Sequence, residues 1–176
     1  PNSKLVITYL NGDYYGIMHL MERIDEDYLS VAFDVDEKKI NYLRDYNLIK
    51  AGTGIDYLSM YNKIMQMDMD NDSSYNEISK LIDIDNFIDY TFLENFCVNL
   101  DWPYKNIKYW NSSEIDSKWR WLWDDMDLCF GNWGFYHTDI IKQMCIYDSS
   151  YFSLFFQKLI KNKTLTLKLI NRWADL

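Results

Sequence analysis

Apolar residues recur three or four positions apart, the spacing of a helix, over most of the chain after Gly54. One apolar stripe begins just after Asp83 and Asp85, and either aspartate is a natural N-cap for the helix that follows. The predicted helices cover residues 55–65, 75–82, 87–97, 150–160 and 164–174. The larger, C-terminal part of the chain is therefore expected to be mainly helical.

The first 50 residues follow a different pattern, in which extended runs alternate with a single helix. The extended runs are predicted at residues 4–10, 40–43 and 48–50, and the helix at 26–33. The first run leads into Asn11-Gly12, a dipeptide typical of a tight β-hairpin turn. The chain is thus predicted to be α+β, with a short β-rich part before the helices.

A second hairpin is predicted between two groups of polar residues. Asp101 and Asn106 stand in a loop that contains Pro103, and Asp125 and Asp127 follow the hairpin. Its strands are predicted at 106–110 and 118–123, where polar and aromatic residues alternate in the second. The hairpin would fold Asp125 back toward Asn106.

This order of residues is that of phosphoryl-transfer sites of the protein-kinase type, which need a carboxylate beside the accepting hydroxyl and separate oxygen ligands for divalent metal. Asp101 is the candidate for the first role, and Asn106, Asp125 and Asp127 for the second. Aspartates close together also repel one another unless a cation lies between them. Two other interpretations stay open: the aspartates cap loops, or they bind a structural cation.

The aromatic residues allow a different hypothesis, a carbohydrate-active protein. Several tryptophans could stack on sugar rings while two aspartates act as acid and base. These tryptophans are Trp102, Trp110, Trp119, Trp121, Trp123 and Trp133. Core packing of a hairpin is the simpler interpretation for most of them. Asn106 discriminates between the two functions, because a glycosidase has no need of an amide there.

Composition supports one globular domain over the 176 residues, since 48% of them are hydrophobic and 18% aromatic. The formal net charge of −9 argues against nucleic-acid binding, which requires a basic face. It suits a metal site, a basic protein substrate, or simply a solvated acidic surface. No stretch of about 18 apolar residues predicts a membrane span. The three cysteines are far apart and indicate neither zinc nor a disulfide framework.

Five blocks of the sequence resemble the signature motifs of the spore coat protein H (CotH) kinase family. They are YLNGDYYGIMHLMERID at 9–25, DIDNFIDY at 83–90, NLDWPYKN at 99–106, WRWLWDDMDLCFG at 119–131 and the helical segment at 152–173. The family's usual pattern has Trp directly before the D-x-D, whereas here Asp124 stands between Trp123 and Asp125. Either Asp124 or Asp125 is therefore the main acidic ligand by this resemblance.

The resemblance implies an atypical, bacterial protein-kinase-like domain over residues 1–176, with the end of a small lobe at 1–50 and a helical lobe at 51–176. It implies transfer of phosphate from ATP, with Mg²⁺ or Mn²⁺, to serine or threonine of a protein substrate. By matching position, Asp101 is the catalytic aspartate and Asn106 and Asp125 hold the metal and nucleotide. Asp127 is the other carboxylate of the D-x-D, either as a metal ligand or as a group that supports the ligands. A spore coat or extracellular location would follow from the same resemblance.

Glu22 is a further candidate, since kinases pair a glutamate with a lysine that holds phosphate. The resemblance makes Glu22 a nucleotide-positioning residue, but the sequence shows neither the lysine nor a glycine-rich phosphate loop. Family members have a considerable stretch before the N-G-x-Y-x-G segment, so we expect this chain to be part of a larger domain. A chain of the same fold that binds without catalysing remains the alternative.

Overall fold

A computed structural model describes residues 2–131 and 137–176 of the chain. The strands are β1 (Ser3–Leu10), β2 (Asp13–Met21), β3 (Ile40–Arg44), β4 (Leu48–Ala51), β5 (Lys108–Ser112) and β6 (Arg120–Leu122). The helices are α1 (Glu26–Phe33), α2 (Ile55–Gln66), α3 (Ser73–Leu81), α4 (Ile84–Phe96), α5 (Ile140–Lys142), α6 (Tyr151–Leu159) and α7 (Lys163–Asp175). A 3₁₀ turn at Glu37–Lys39 precedes β3, and α5 runs into a π-helical turn at Gln143–Tyr147.

Two antiparallel sheets form in the described residues. β1 pairs with β2 in one sheet, and the other has the order β4-β3-β5-β6. The predicted β5–β6 hairpin is confirmed, but β5 begins at Lys108 and not at Asn106. Asn106 has a φ of 62°, in the left-handed region that a strand does not use. Its backbone therefore belongs to the loop that carries Asp101.

The four-stranded sheet has apolar contacts on both faces. Leu43 and Tyr109 belong to the large core formed with the helices, whereas their neighbours Tyr42 and Trp110 pack in a small cluster with α1. Side chains alternate between the faces of a strand, so β3 and β5 each contribute residues to both clusters. The sheet thus lies between α1 and the helical part of the chain. The loop that carries Asp101 leads into β5, and Asp125 and Asp127 follow the end of β6.

The helix before the Asp101 loop is fixed to the sheet by side chains at its N-terminus. Asp83, the predicted N-cap of α4, accepts a hydrogen bond from Asn86 N at 3.1 Å and from Arg120 Nε at 3.1 Å. The Asn86 side chain accepts from Trp121 N at 2.6 Å and donates to Trp121 O at 3.1 Å. The Asn86 side chain therefore bonds to the backbone of β6 as a neighbouring strand would. This contact fixes the orientation of α4 and, with it, the position of the loop that follows α4.

The β1–β2 hairpin is the least buried element in the described part of the chain. Its backbone hydrogen bonds run between the two strands, and large apolar residues on both of its faces are exposed. Among the described residues, no helix combines the length and the apolarity that a bilayer crossing requires.

Candidate active site

Asp101 lies in the loop after α4, and its carboxylate contacts two side chains of that loop. Its Oδ2 is 2.9 Å from Lys105 Nζ and accepts a hydrogen bond from Asn106 Nδ2 at 3.3 Å. The pairing raises the pKa of the exposed Lys105 ammonium above its usual value, first through the hydrogen bond to Asp101 and then through the charge of Asp101. The Asp101 side chain keeps 18% of its surface exposed.

Asn106 is buried, and both the oxygen and the nitrogen of its side-chain amide form hydrogen bonds. Its Oδ1 accepts a hydrogen bond from Arg44 Nη2 at 2.9 Å, while its Nδ2 donates to Asp101. The left-handed backbone at Asn106 turns the chain from the loop into β5, and asparagine tolerates this conformation better than most residues. The predicted pair of Asp101 and Asn106 is thus in direct contact.

The carboxylates that follow the hairpin have different partners. Asp124 Oδ1 is 2.9 Å from Lys108 Nζ, and this pair is mostly buried. Burial raises the pKa of Asp125 above its usual value, and the adjacent Asp127 carboxylate raises it further by charge and by a hydrogen bond. Asp124, which stands directly before the D-x-D, is therefore bonded to Lys108, whereas Asp125 lies beside Asp127.

Electrostatics link this acidic segment to the Asp101 loop. The charges of Asp124 and Asp101 also contribute to the raised pKa of Asp125, and the charges of Asp125 and Asp127 contribute to that of Lys105. The folded chain thus brings the predicted carboxylates to the same region as Lys105. Negative charge accumulates there in excess of the neighbouring cations, which favours binding of a further cation.

A cleft of about 180 Å³ lies beside Lys108 and Arg44, and basic side chains predominate in its lining. Its positively charged residues are Arg23, Arg44, Lys50 and Lys108, and its negatively charged residues are Asp25 and Glu26. The Tyr42 hydroxyl donates to Ile24 O at 3.1 Å, which fixes the segment after β2 to the sheet. Two of the cations, Arg44 and Lys108, also contact Asn106 and Asp124, so the cleft adjoins the polar cluster.

Glu22 lies at the end of β2, apart from this cluster. Its carboxylate accepts hydrogen bonds from Asn2 N at 2.7 Å and Asn2 Nδ2 at 3.2 Å, which lower the pKa of Glu22. Its neighbour Arg23 lines the cleft, whereas Glu22 does not. The nucleotide-positioning role of Glu22 stays a prediction.

The oxygen donors suit a hard divalent cation, which prefers carboxylate and amide oxygens. Asp125 and Asp127 provide a carboxylate pair, but Asn106 Oδ1 is bonded to Arg44 and would have to exchange that partner for the ion. In residues 2–131 and 137–176, no group of three or more His, Cys, Asp and Glu side chains is arranged to hold a metal. The described residues thus offer carboxylate oxygens of a suitable chemical type without a complete set of protein ligands.

Five cationic residues of the site were not identified from the sequence: Arg23, Arg44, Lys50, Lys105 and Lys108. Lys105 has a local signal, because it stands within the D-x-x-x-x-N motif itself. Lys108 is buried on an internal strand, where an apolar residue is expected. Its position two residues after Asn106 places it beside the aspartates only once the hairpin has formed, so the sequence alone gives no signal for it.

The tryptophans in the described part of the chain do not form a sugar-stacking cleft. Those that pack inside the protein, each with no more than 2% of its surface exposed, are Trp102, Trp110, Trp119 and Trp121. Trp123 is partly exposed, and its Nε1 donates to Tyr90 O at 3.4 Å. Trp133 lies outside the described residues. The core-packing interpretation therefore holds for four of the six.

A family model described as CotH kinase protein matches residues 1–176, the whole chain. The chain belongs to the CotH kinase family. The resemblance seen in the five sequence blocks is thereby confirmed, and so is the α+β content of a kinase-like fold, with its β-rich part first. The comparisons with curated proteins and with solved structures found no match. Membership of the CotH kinase family indicates a kinase-like function for this chain.

Proposed function

We propose that this CotH kinase transfers the γ-phosphoryl group of ATP to a serine or threonine hydroxyl of a protein substrate. The observation that carries the proposal is the contact of Asp101 with Asn106 beside the Asp125–Asp127 pair. The basic cleft that adjoins this cluster supplies positive charge suited to polyphosphate. A carboxylate, metal ligands and phosphate-binding cations are the parts that such a reaction requires.

In this reaction Asp101 accepts the proton of the substrate hydroxyl. The hydroxyl oxygen forms a bond to the γ-phosphorus as the bond from phosphorus to the bridging oxygen of ADP breaks, so the electron pair of that bond leaves with ADP. Asn106 holds the Asp101 side chain through its Nδ2, and Lys105 Nζ pairs with the Asp101 carboxylate at 2.9 Å while no substrate is bound. Lys105 would then turn toward the phosphate that is being transferred.

Asp125 and Asp127, with Asn106, would hold Mg²⁺ or Mn²⁺ at the phosphates. A bound divalent ion supplies neutralisation of charge on the β- and γ-phosphate oxygens. Asp124 is assigned to Lys108, because their buried ion pair orients the lysine toward the cleft. On this proposal the main acidic ligand is Asp125.

The substrate is proposed to be a protein that carries basic residues near the accepting serine or threonine. The net charge of −9 favours approach of a positively charged partner and disfavours nucleic acid. From the family resemblance we also propose a spore coat or extracellular location for this protein.

The test is calorimetric binding of ATP with and without Mg²⁺ or Mn²⁺, together with phosphate transfer to a basic protein such as histone. We expect Asp125→Ala to abolish metal-dependent binding, and Asp101→Ala to keep binding while transfer falls about a thousandfold or more. Asp70→Asn, in the exposed turn between α2 and α3, is the matched control and should change neither. Wild-type transfer by Asp101→Ala would refute the assignment.

A non-catalytic protein of the same fold would bind metal and ATP without transfer. To separate that case from an incomplete site, the same measurements are made on a version extended upstream of residue 1. Binding without transfer in both versions would favour the non-catalytic alternative. Binding by neither would contradict the nucleotide site altogether.

A further inference from the structure

Glu94 is a wholly buried acid in the last turn of α4, and the reaction proposed above does not use it. Its Oε2 accepts a hydrogen bond from Asn99 Nδ2 at 2.8 Å, and Asn99 is wholly buried as well. The backbone repeats the connection, because Asn99 N donates to Glu94 O at 3.1 Å. The helix and the start of the Asp101 loop are thus joined twice at the same place.

Asn99 extends this connection to both parts of the candidate site. Its Oδ1 accepts a hydrogen bond from Asp101 N at 3.3 Å, and its Nδ2 lies 3.7 Å from Met126 Sδ. Met126 stands between Asp125 and Asp127. One buried amide therefore contacts the backbone of the catalytic aspartate and the segment that carries the predicted metal ligands.

The chain between the two residues is strained. Val98 has a φ of 53°, and a β-branched residue rarely adopts this left-handed conformation. Such a conformation persists only where the surrounding contacts impose it. The two hydrogen bonds between Glu94 and Asn99 span Val98 and hold the turn that ends the helix and begins the loop.

Placing a carboxyl here opposes folding rather than assisting it. Burial raises the pKa of Glu94 to about 7, and the hydrogen bond from Asn99 only partly opposes that rise. An apolar residue would occupy the same position without this penalty. What the carboxyl provides, and a hydrocarbon side chain does not, is a directional acceptor for Asn99.

We propose that Glu94 and Asn99 form a positioning pair, which sets the Asp101 loop in register with the Asp125–Asp127 segment. The inference rests on the proposed function for its catalytic meaning, but its structural part does not depend on activity. Glu94 acts through Asn99 and touches neither substrate nor nucleotide. Its loss should therefore reduce the rate of transfer and leave nucleotide affinity intact.

The test compares Glu94→Met, which removes the acceptor and keeps the side-chain length, with Glu94→Gln, whose amide oxygen still accepts from Asn99. We expect kcat to fall about tenfold or more in Glu94→Met, with KM for ATP within about twofold, and to recover to within about threefold in Glu94→Gln. Thr91→Val is the matched control, since the buried Thr91 hydroxyl bonds only to Phe87 O and Ile88 O of its own helix in the described structure.

Hydrogen–deuterium exchange provides a second measurement that needs no activity. Glu94→Met should speed exchange of the peptide covering residues 99–106, while Glu94→Gln and Thr91→Val leave it unchanged. If the wild-type chain transfers no phosphate, the proposed function fails, and exchange alone then decides on the positioning pair. Unchanged exchange in a folded Glu94→Met, a wild-type kcat in that variant, or an equal loss in Glu94→Gln would each overturn the proposal.

Discussion

Asp101 depends on neighbours that differ in how far they stand from it in the sequence. Lys105 and Asn106 are four and five residues away and bond to its carboxylate, whereas Arg44 reaches the same loop from β3 by bonding Asn106. The local pair can be predicted from a short motif, because loop geometry alone brings such residues together. The contact of Arg44 cannot be predicted in this way, since the position of Arg44 is set by the pairing of β3 with β5.

Glu94 should make the stability of the protein depend on pH. Burial is the main reason that its pKa is about 7 in the folded state, against 4.5 for a solvated glutamate. The folded state therefore holds this proton more tightly than the unfolded state, and the free energy of unfolding falls as pH rises through the interval between these values. A shift of this size corresponds to about 3 kcal/mol, all of it lost once Glu94 is ionised.

The contribution of Glu94 is isolated by comparing wild type with Glu94→Gln in urea denaturation across this pH interval. Other acids titrate in the same range but cancel in the difference. We expect the two proteins to be about equally stable at the acidic end and Glu94→Gln to be the more stable one at neutral pH. A constant difference would show that Glu94 does not titrate with a raised pKa.

At the scale of the element, the helices of the described chain other than the three-residue α5 were predicted, because their signals are local. The apolar spacing and the Asp83 cap locate α4 within the sequence, and the start of α2 at Ile55 follows its apolar pattern. The start of β5 was not predictable, because the left-handed backbone of Asn106 is imposed by its partners Asp101 and Arg44.

Asn86 offers a test of how the helix is attached to the sheet. Its side chain satisfies both the N–H and the C=O of Trp121, a buried residue of β6. Asn86→Ala leaves these two groups without that partner and should lower the free energy of unfolding by about 3 kcal/mol, measured by urea denaturation.

The neighbouring Asp85 is the control for this experiment. It occupies the same turn, but it is exposed and forms a surface ion pair with Lys168 at 2.7 Å. Asp85→Ala should cost less than about 1 kcal/mol. If the two variants are equally stable, the contact between Asn86 and β6 does not fix the helix.

Across the whole molecule, the site is assembled from segments that meet only when the four-stranded sheet forms. Arg44 on β3 and Lys108 on β5 are paired in the sheet register, and Asp124 follows β6. A sequence pattern identifies the strands, but it does not reveal which of their side chains line the cleft that the sheet forms with the segment after β2. For the same reason Arg23, which lines the cleft beside the predicted Glu22, was not identified from the sequence, and the role of Glu22 itself stays a prediction.

The β1–β2 hairpin should be the first part of this 176-residue chain to open. Two-stranded sheets are marginally stable alone, and Tyr9, Tyr14 and Tyr15 are each more than 60% exposed. Brief chymotrypsin digestion followed by mass spectrometry should cut after these tyrosines before it cuts after Tyr57 or Phe87, which are buried in the large core. Earlier cleavage within α2 or α4 would mean that the helical core opens before the hairpin, contrary to its greater burial.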